Sequence, residues 1–214
     1  MHTKKDIHYS KQFIIGMIAI SLLSFSSCNK FIKSVYGINE VGSISISFLD
    51  SFITHDVVFS QYDNYYLNSS YYSLISDSIQ DEKYFNYALQ PMQAMYFNKE
   101  DVLVSYHVNC NAGGFPNLKW NRDDNFGVFP PKTQTEIGGC LSKKSIESSL
   151  NPFKIISTKH DSFDYTIYIL WSYQMLEQSK RLIEFVANNL DQYKMTEKVK
   201  IAFINMDVLY KEVR

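Results

Sequence analysis

The sequence has few of the residue patterns that identify a chemistry. Cysteine occurs three times in 214 residues, and no two cysteines form a Cys-x-x-Cys pair. The histidines form no His-x-His or His-Glu-x-x-His pattern, and Gly-x-Ser-x-Gly, P-loop and Gly-x-Gly-x-x-Gly motifs are absent. These absences exclude the enzyme classes that such motifs define, and we predict no metal site and no cofactor.

The sequence also lacks an excess of charge of either sign, since its net charge is −1. A protein that binds nucleic acid usually carries a basic patch, so the charge balance argues against a nucleic-acid partner. A marked apolar run near the N-terminus, Phe13–Leu23, is too short to cross a hydrocarbon core ~30 Å thick comfortably. It is typical of the central part of a secretory signal peptide.

The residues around this run complete the pattern of a signal. Lys4, Lys5 and Lys11 supply positive charge, and Phe25-Ser26-Ser27-Cys28 follows the apolar stretch. This segment resembles the lipobox of bacterial lipoproteins, with phenylalanine at a position where that family more often has leucine. The resemblance implies that Cys28 is lipidated, that the chain is cut before it, and that acyl chains such as palmitate anchor the domain to a membrane. An ordinary cleaved signal with an incidental Cys28 and an uncleaved anchor helix are the alternatives.

The lipobox implies a domain organisation and a location. We predict a signal peptide at 1–27, a tether at 28–42 and one folded domain at 43–214. Removing residues 1–27 leaves a net charge of −3. The expected location is the bacterial cell envelope, facing the periplasm, with an envelope protein as a candidate partner.

The C-terminal part of the sequence predicts a βαβ unit. Tyr165–Trp171 and Val199–Asn205 are continuous apolar runs, as expected for strands of a parallel sheet that are buried on both faces. Apolar residues recur at helical spacing between them, which predicts a helix over 172–192. The apolar stripe of this helix comprises Met175, Ser179, Leu182, Ile183, Val186 and Leu190.

The turn after the first of these strands reads Trp171–Met175 (WSYQM). It resembles the Trp-Cys-x-x-Cys turn of thioredoxin-like proteins, with Ser172 and Met175 in place of the two cysteines. The resemblance implies a vestigial redox turn, because serine and methionine cannot form a disulfide. We predict that Ser172 caps the helix by accepting a hydrogen bond from the Gln174 or Met175 amide.

A predicted hairpin carries a second resemblance to the same family. Met92–Phe97 and Val102–Val108 are apolar runs separated by a short polar loop. In thioredoxin-like proteins a cis proline precedes such a hairpin and faces the redox turn, and Gln90-Pro91-Met92 is similar. An ordinary trans proline is the alternative for Pro91. The hairpin here precedes the βαβ unit, so two architectures are open: one mixed sheet of a thioredoxin-like α/β three-layer sandwich in permuted order, or a separate N-terminal layer.

The remaining N-terminal elements are predicted from local patterns. Ser43–Phe52 favours a helix over a strand, and Asp56–Ser60 favours a strand. Asn64–Gln80 is rich in Tyr, Ser and Asn and is expected to be irregular. Asp81 is predicted to cap a short helix that continues to Leu89.

A long loop at 109–139 contains five of the eight glycines and three of the five prolines. Its interleaved aromatic residues predict that it packs against the domain. Cys110 and Cys140 lie at its two ends, and an oxidising compartment favours a disulfide between them. Two unpaired thiols and a reactive Cys110 are the alternatives.

Two functions follow from these observations. The first is a redox-inactive thioredoxin-like binding or scaffolding domain, which predicts no enzymatic activity. The second is a thiol-disulfide or peroxide reductase that acts through Cys110. A third interpretation is a fragment or degenerate paralogue, since the chain ends soon after the second strand of the βαβ unit.

Overall fold

The computed structural model describes residues 38–39, 44–115, 117–137, 141–156 and 163–213. These residues form one mixed six-stranded sheet in the order β3-β2-β5-β6-β1-β4. The strands β5, β6 and β1 are parallel, whereas β2 is antiparallel to β5 and to β3, and β4 is antiparallel to β1. The strands are β1 (Asp63–Leu67), β2 (Gln93–Asn98), β3 (Leu103–Val108), β4 (Leu150–Lys154), β5 (Tyr165–Trp171) and β6 (Val199–Asn205).

Helices pack against both faces of this sheet. They are α1 (Ile46–His55), α2 (Ser69–Ser78), α3 (Glu82–Ala88), α4 (Asn109–Ala112), α5 (Lys143–Glu147), α6 (Leu176–Gln192) and α7 (Asp207–Glu212). On one face, which we call the α6 face, α1 and α6 bury Leu49 and Leu182 against the sheet. On the opposite face, α2 and α7 bury Ile75 and Leu209. The result is a three-layer α/β sandwich.

The predicted βαβ unit is confirmed. Tyr165–Trp171 and Val199–Asn205 are parallel neighbours in the sheet, and α6 connects them along the chain. Their apolar residues leave both strands almost fully buried, as expected for the centre of a sheet with helices on both sides.

The hairpin of β2 and β3 is also confirmed, and it lies directly beside β5. The chain therefore forms one thioredoxin-like α/β sandwich in which the hairpin precedes the βαβ unit along the sequence. Of the two architectures left open by the sequence, the permuted single sheet is the one observed.

Two N-terminal predictions are wrong. Residues 56–60 form a turn and part of a 3₁₀ helix rather than a strand, because the Asp56 carboxylate accepts hydrogen bonds from the amides of Val58 (3.0 Å) and Phe59 (3.3 Å). The segment 64–80 is not irregular, since it contains most of β1 and all of α2. Here tertiary pairing with β6 and burial of one helix face outweigh the polar composition.

The other local predictions in this region are confirmed. The segment 43–52 contains the start of α1, and Asp81 caps α3 by accepting a hydrogen bond from the Lys83 amide at 2.8 Å. In the long loop, Trp120 and Phe126 are buried in the core of the α6 face, and Phe129 packs against it, whereas Phe115 is exposed. The described part of the loop thus forms a cover over β2 and β3.

Candidate functional site

The candidate site lies at one edge of the sheet, where the parallel strands β5 and β6 end. The turn after Trp171 leaves β5 there, and Asp207 follows β6 there, because Trp171 pairs with Asn205 in the parallel register. The strand β2 begins at the same edge, since Gln93 pairs with Leu170. The carboxyl edge of parallel strands is the usual place for a ligand site in open α/β sheets.

Ser172, which the sequence resemblance aligns with the first redox cysteine of thioredoxin-like proteins, is hydrogen-bonded to Asp207. Its hydroxyl donates a 2.6 Å hydrogen bond to Oδ1 of Asp207, and both side chains are buried. The other carboxylate oxygen accepts hydrogen bonds from the Tyr173 amide at 2.6 Å and from Nδ2 of Asn205 at 2.9 Å. The Asp207 carboxylate therefore holds the β5 turn to the end of β6.

Burial dominates the electrostatics of this carboxylate. Removal from water raises the pKa of Asp207 above its ordinary value, and hydrogen bonds from Ser172, from Asn205 and from the amides of Tyr173 and Gln174 offset part of that rise. Asn205 itself is fixed, because its Oδ1 accepts the Asp207 amide at 2.9 Å. The group is a closed hydrogen-bond network rather than a nucleophile with a free base.

The predicted helix start is wrong. The helix α6 begins at Leu176 with Met175 at the cap position, and Ser172 makes no capping hydrogen bond. The reason is that Asp207 already accepts the Tyr173 amide and the Ser172 hydroxyl. Ser179 joins the turn to the helix instead, since its hydroxyl lies 3.2 Å from the Ser172 amide and 3.1 Å from the Ser172 carbonyl.

Trp171 and Met175, the two other residues of the 171–175 turn that the sequence singled out, pack against the core. Trp171 is fully buried, with its ring 4.3 Å from Phe59 and 6.0 Å from Phe52 between centroids. Met175 is partly buried against the same core. Neither residue presents a reactive group at the sheet edge.

Pro91 lies close to this turn in the sheet. It precedes Gln93 by two residues, and Gln93 pairs with Leu170. Its peptide bond is trans, since Phe129–Pro130 is the cis bond among the described residues. Pro91 is therefore an ordinary trans proline, which was the alternative to a cis proline. Its position near the 171–175 turn agrees with the resemblance to thioredoxin-like proteins.

Cys110 lies at the same edge of the sheet, directly after β3. It is two strands away from Ser172, or about 10 Å at ~4.8 Å per strand. Its side chain is exposed. Partial burial raises the pKa of Cys110, although the amides of Cys110 and Asn111 offset part of the rise. Cys140 lies outside the described residues, so the disulfide remains a prediction.

An apolar surface covers the outside of the turn. The Tyr173 ring packs edge-on against Phe48 (4.9 Å) and Phe52 (5.2 Å) of α1. Phe48 is 40 % exposed, and Tyr173 is partly buried. We call Phe48 and Tyr173 the turn surface. Exposed apolar side chains that lie together on a surface can mark places where proteins bind partners.

Sequence reasoning missed Asn205, Asp207 and the contribution of α1 to this site. One signal was present, because the polar residues Asn205 and Asp207 come at the end of the largely apolar strand β6. Their partner Ser172 is 35 positions from Asp207, so the pairing could not be identified without knowing that β5 and β6 are neighbours. The α1 contact had no comparable signal.

His107 is a second buried polar group, on β3. It is fully buried, as the sequence indicated, with Nε2 of its ring 3.1 Å from the Ser105 hydroxyl. Burial lowers the pKa of His107 to about 4, and the Gln134 side chain offsets part of that shift. The Phe126 ring lies 4.7 Å away between centroids. His107 is therefore a neutral core residue.

Comparisons with protein-family models, curated proteins and solved structures found no match. The thioredoxin-like description therefore rests on the layers and strand order of this structure. The predicted signal peptide and the predicted lipidation site Cys28 lie outside the described residues. Within the described part of the chain, none of the helices is long and apolar enough to cross a membrane.

Proposed function

We propose that the protein is a lipid-anchored envelope protein whose thioredoxin-like domain binds a partner without thiol chemistry. The observation that carries this proposal is the 2.6 Å hydrogen bond between Ser172 and Asp207. A network of buried side chains closes the turn that a dithiol would occupy in a redox-active relative. Hydrogen bonds to Asp207 fix the inner side of the turn, and the aromatic rings of Phe48 and Tyr173 lie on its outer side.

The geometry supports a binding role at the turn surface. Phe48 presents exposed apolar area beside Tyr173, whose ring packs edge-on against Phe48 and Phe52 of α1. Exposed aromatic residues on a rigid support are typical anchors of protein interfaces. We therefore place the partner at this surface, and crosslinking from Phe48 tests it.

The alternative, a reductase that acts through Cys110, has weaker support. A nucleophilic cysteine needs a lowered pKa, whereas partial burial raises the pKa of Cys110. Its Sγ lies 3.8 Å from Oδ1 of Asn111, which is an acceptor and cannot stabilise a thiolate. Ser172 and Met175 supply no second thiol at the 171–175 turn, so a dithiol mechanism there would depend on Cys140.

Replacing Cys28 with serine is expected to abolish lipidation, because in the lipoprotein family the sulfur atom of this cysteine receives the lipid. Cells grown with radioactive palmitate should label the wild-type protein and leave Cys28→Ser unlabelled. The wild type should also sediment with membranes. The matched control is Cys110→Ser, which should keep both properties. Equal labelling of wild type and Cys28→Ser would contradict the anchor.

A further inference from the structure

A cleft of about 330 Å³ opens on the α6 face, away from the turn surface. Its floor is formed by β5 and β6, one wall by α6, and the other wall by the segment between α1 and β1. The apolar lining residues are Val58, Tyr62, Ile169, Ile183, Val186, Ala187, Ile201 and Phe203. The volume lies at the lower end of the ~300–1,000 Å³ range of small-molecule sites. We call it the α6 cleft.

The floor of the α6 cleft is fixed by the core. Ile169 and Phe203 are each 1 % exposed, and the Phe203 ring packs against Phe59 at 5.1 Å and against Tyr62 at 5.0 Å. Ala187 is an exposed small residue on the wall, and it leaves the mouth open. The apolar side chains that a ligand can reach are the partly buried Val58, Tyr62 and Ile201, which lie against this buried floor.

The charged side chains at the mouth of the α6 cleft do not balance each other. Nζ of Lys180 lies 2.8 Å from Oδ2 of Asp56, so these two charges compensate each other. Glu184, one helical turn further along α6, lines the cleft and makes no ion pair or hydrogen bond with the described residues. The mouth therefore carries uncompensated negative charge.

We propose that the α6 cleft binds a small amphipathic cation: an aliphatic chain on the apolar floor, with a cationic head beside Glu184. The floor provides no hydrogen-bonding side chain, so the chain of the ligand must be apolar. The free carboxylate at the mouth selects the sign of the head group. This site is independent of the lipid anchor and of the turn surface.

Decyltrimethylammonium tests the proposal. Decyl sulfate and decanol have the same ten-carbon chain and serve as controls with an anionic and a neutral head group. The full-length Cys28→Ser chain, labelled at isoleucine methyl groups, is titrated below the micelle concentration and followed by NMR. Methyl signals of Ile169, Ile183 and Ile201 should shift, whereas those of Ile75, Ile146 and Ile204 on the opposite face should not. Because each shifted signal is assigned to a residue, the experiment distinguishes binding in the cleft from binding to the apolar N-terminal segment. The cation should bind about ten-fold more tightly than decyl sulfate.

Two pairs of variants decide the outcome. Ala187→Phe should fill the mouth and abolish the shifts, whereas Asn188→Phe, exposed on the next position of α6, should not. Glu184→Gln should weaken binding of the cation about five-fold and leave decanol unchanged, with Glu177→Gln as the neutral control. The proposal is overturned if the three cleft methyls do not shift, if Ala187→Phe leaves the shifts intact, or if decyl sulfate binds as tightly.

Discussion

Replacing Asp207 with alanine is expected to lower the free energy of unfolding by about 3 kcal/mol. The carboxylate accepts the Ser172 hydroxyl, the Tyr173 amide and the Asn205 amide group. Alanine would leave these buried donors without an acceptor, at roughly 1–3 kcal/mol each, offset in part by removing a buried carboxylate. Urea unfolding of wild type and variant measures the difference.

Two control variants separate the hydrogen bonds from the general effect of a substitution. Asp207→Asn keeps one acceptor oxygen and should lose about 1 kcal/mol at neutral pH. Asp77→Ala, at an exposed position of α2, should change stability by less than about 0.5 kcal/mol. If Asp207→Ala were as stable as Asp77→Ala, the network would not hold the turn.

The pH dependence of stability reports the burial of the same carboxylate. The pKa of Asp207 is raised in the folded state, so its contribution to stability is fully present below the unfolded value and is lost as pH rises through the folded value. Asparagine does not titrate, so the Asp207→Asn variant does not lose stability in this way as pH rises. The stability of Asp207→Asn relative to wild type should therefore increase as pH rises above about 3.8.

Acid is expected to destabilise the protein through His107 by about 3 kcal/mol between pH 6.5 and pH 4. The folded-state pKa of His107 is about 4, well below the ordinary value of 6.5. The unfolded chain takes up the proton first, so stability is fully present above pH ~6.5 and falls as pH decreases toward the folded pKa. The close neighbours Ser105, Phe126 and Gln134 carry no negative charge, and the hydrogen bond with Gln134 offsets only part of the cost of burying the imidazolium.

His107→Gln should remove this part of the acid dependence, since glutamine does not titrate. Unfolding by urea at several pH values from 7 to 4 measures it as the difference between wild type and variant. His55→Gln is the control, because the His55 ring is exposed on α1. Parallel pH curves for wild type and His107→Gln would show that the ring is not held neutral in the core.

The central fold could be predicted because its signals are local and strong. The continuous apolar runs of β5 and β6 identify buried strands, and the short polar loop of the hairpin identifies its turn. The strand β1 could not be predicted, because its sequence Asp63–Leu67 is polar at one end and gains its burial only by pairing with β6.

The sequence showed which reactive groups the site lacks, but it did not show which side chains contact each other there. The missing cysteines at Ser172 and Met175 are visible in the sequence, and they exclude a dithiol at the turn. The role of Asp207 depends on the parallel neighbours β5 and β6, and the turn surface depends on where α1 packs. The α6 cleft likewise joins three segments that are far apart along the chain.

Crosslinking from Phe48 tests most directly whether the turn surface binds a partner without thiol chemistry. Benzoylphenylalanine is placed at Phe48 or at Tyr72, which are 40 % and 38 % exposed on different faces of the domain. Each variant is irradiated in intact cells, with and without Cys110→Ser. We predict one discrete envelope-protein adduct from position 48, unchanged by Cys110→Ser, and none from position 72. No adduct at 48, equal adducts at both positions, or loss of the adduct with Cys110→Ser would contradict the account.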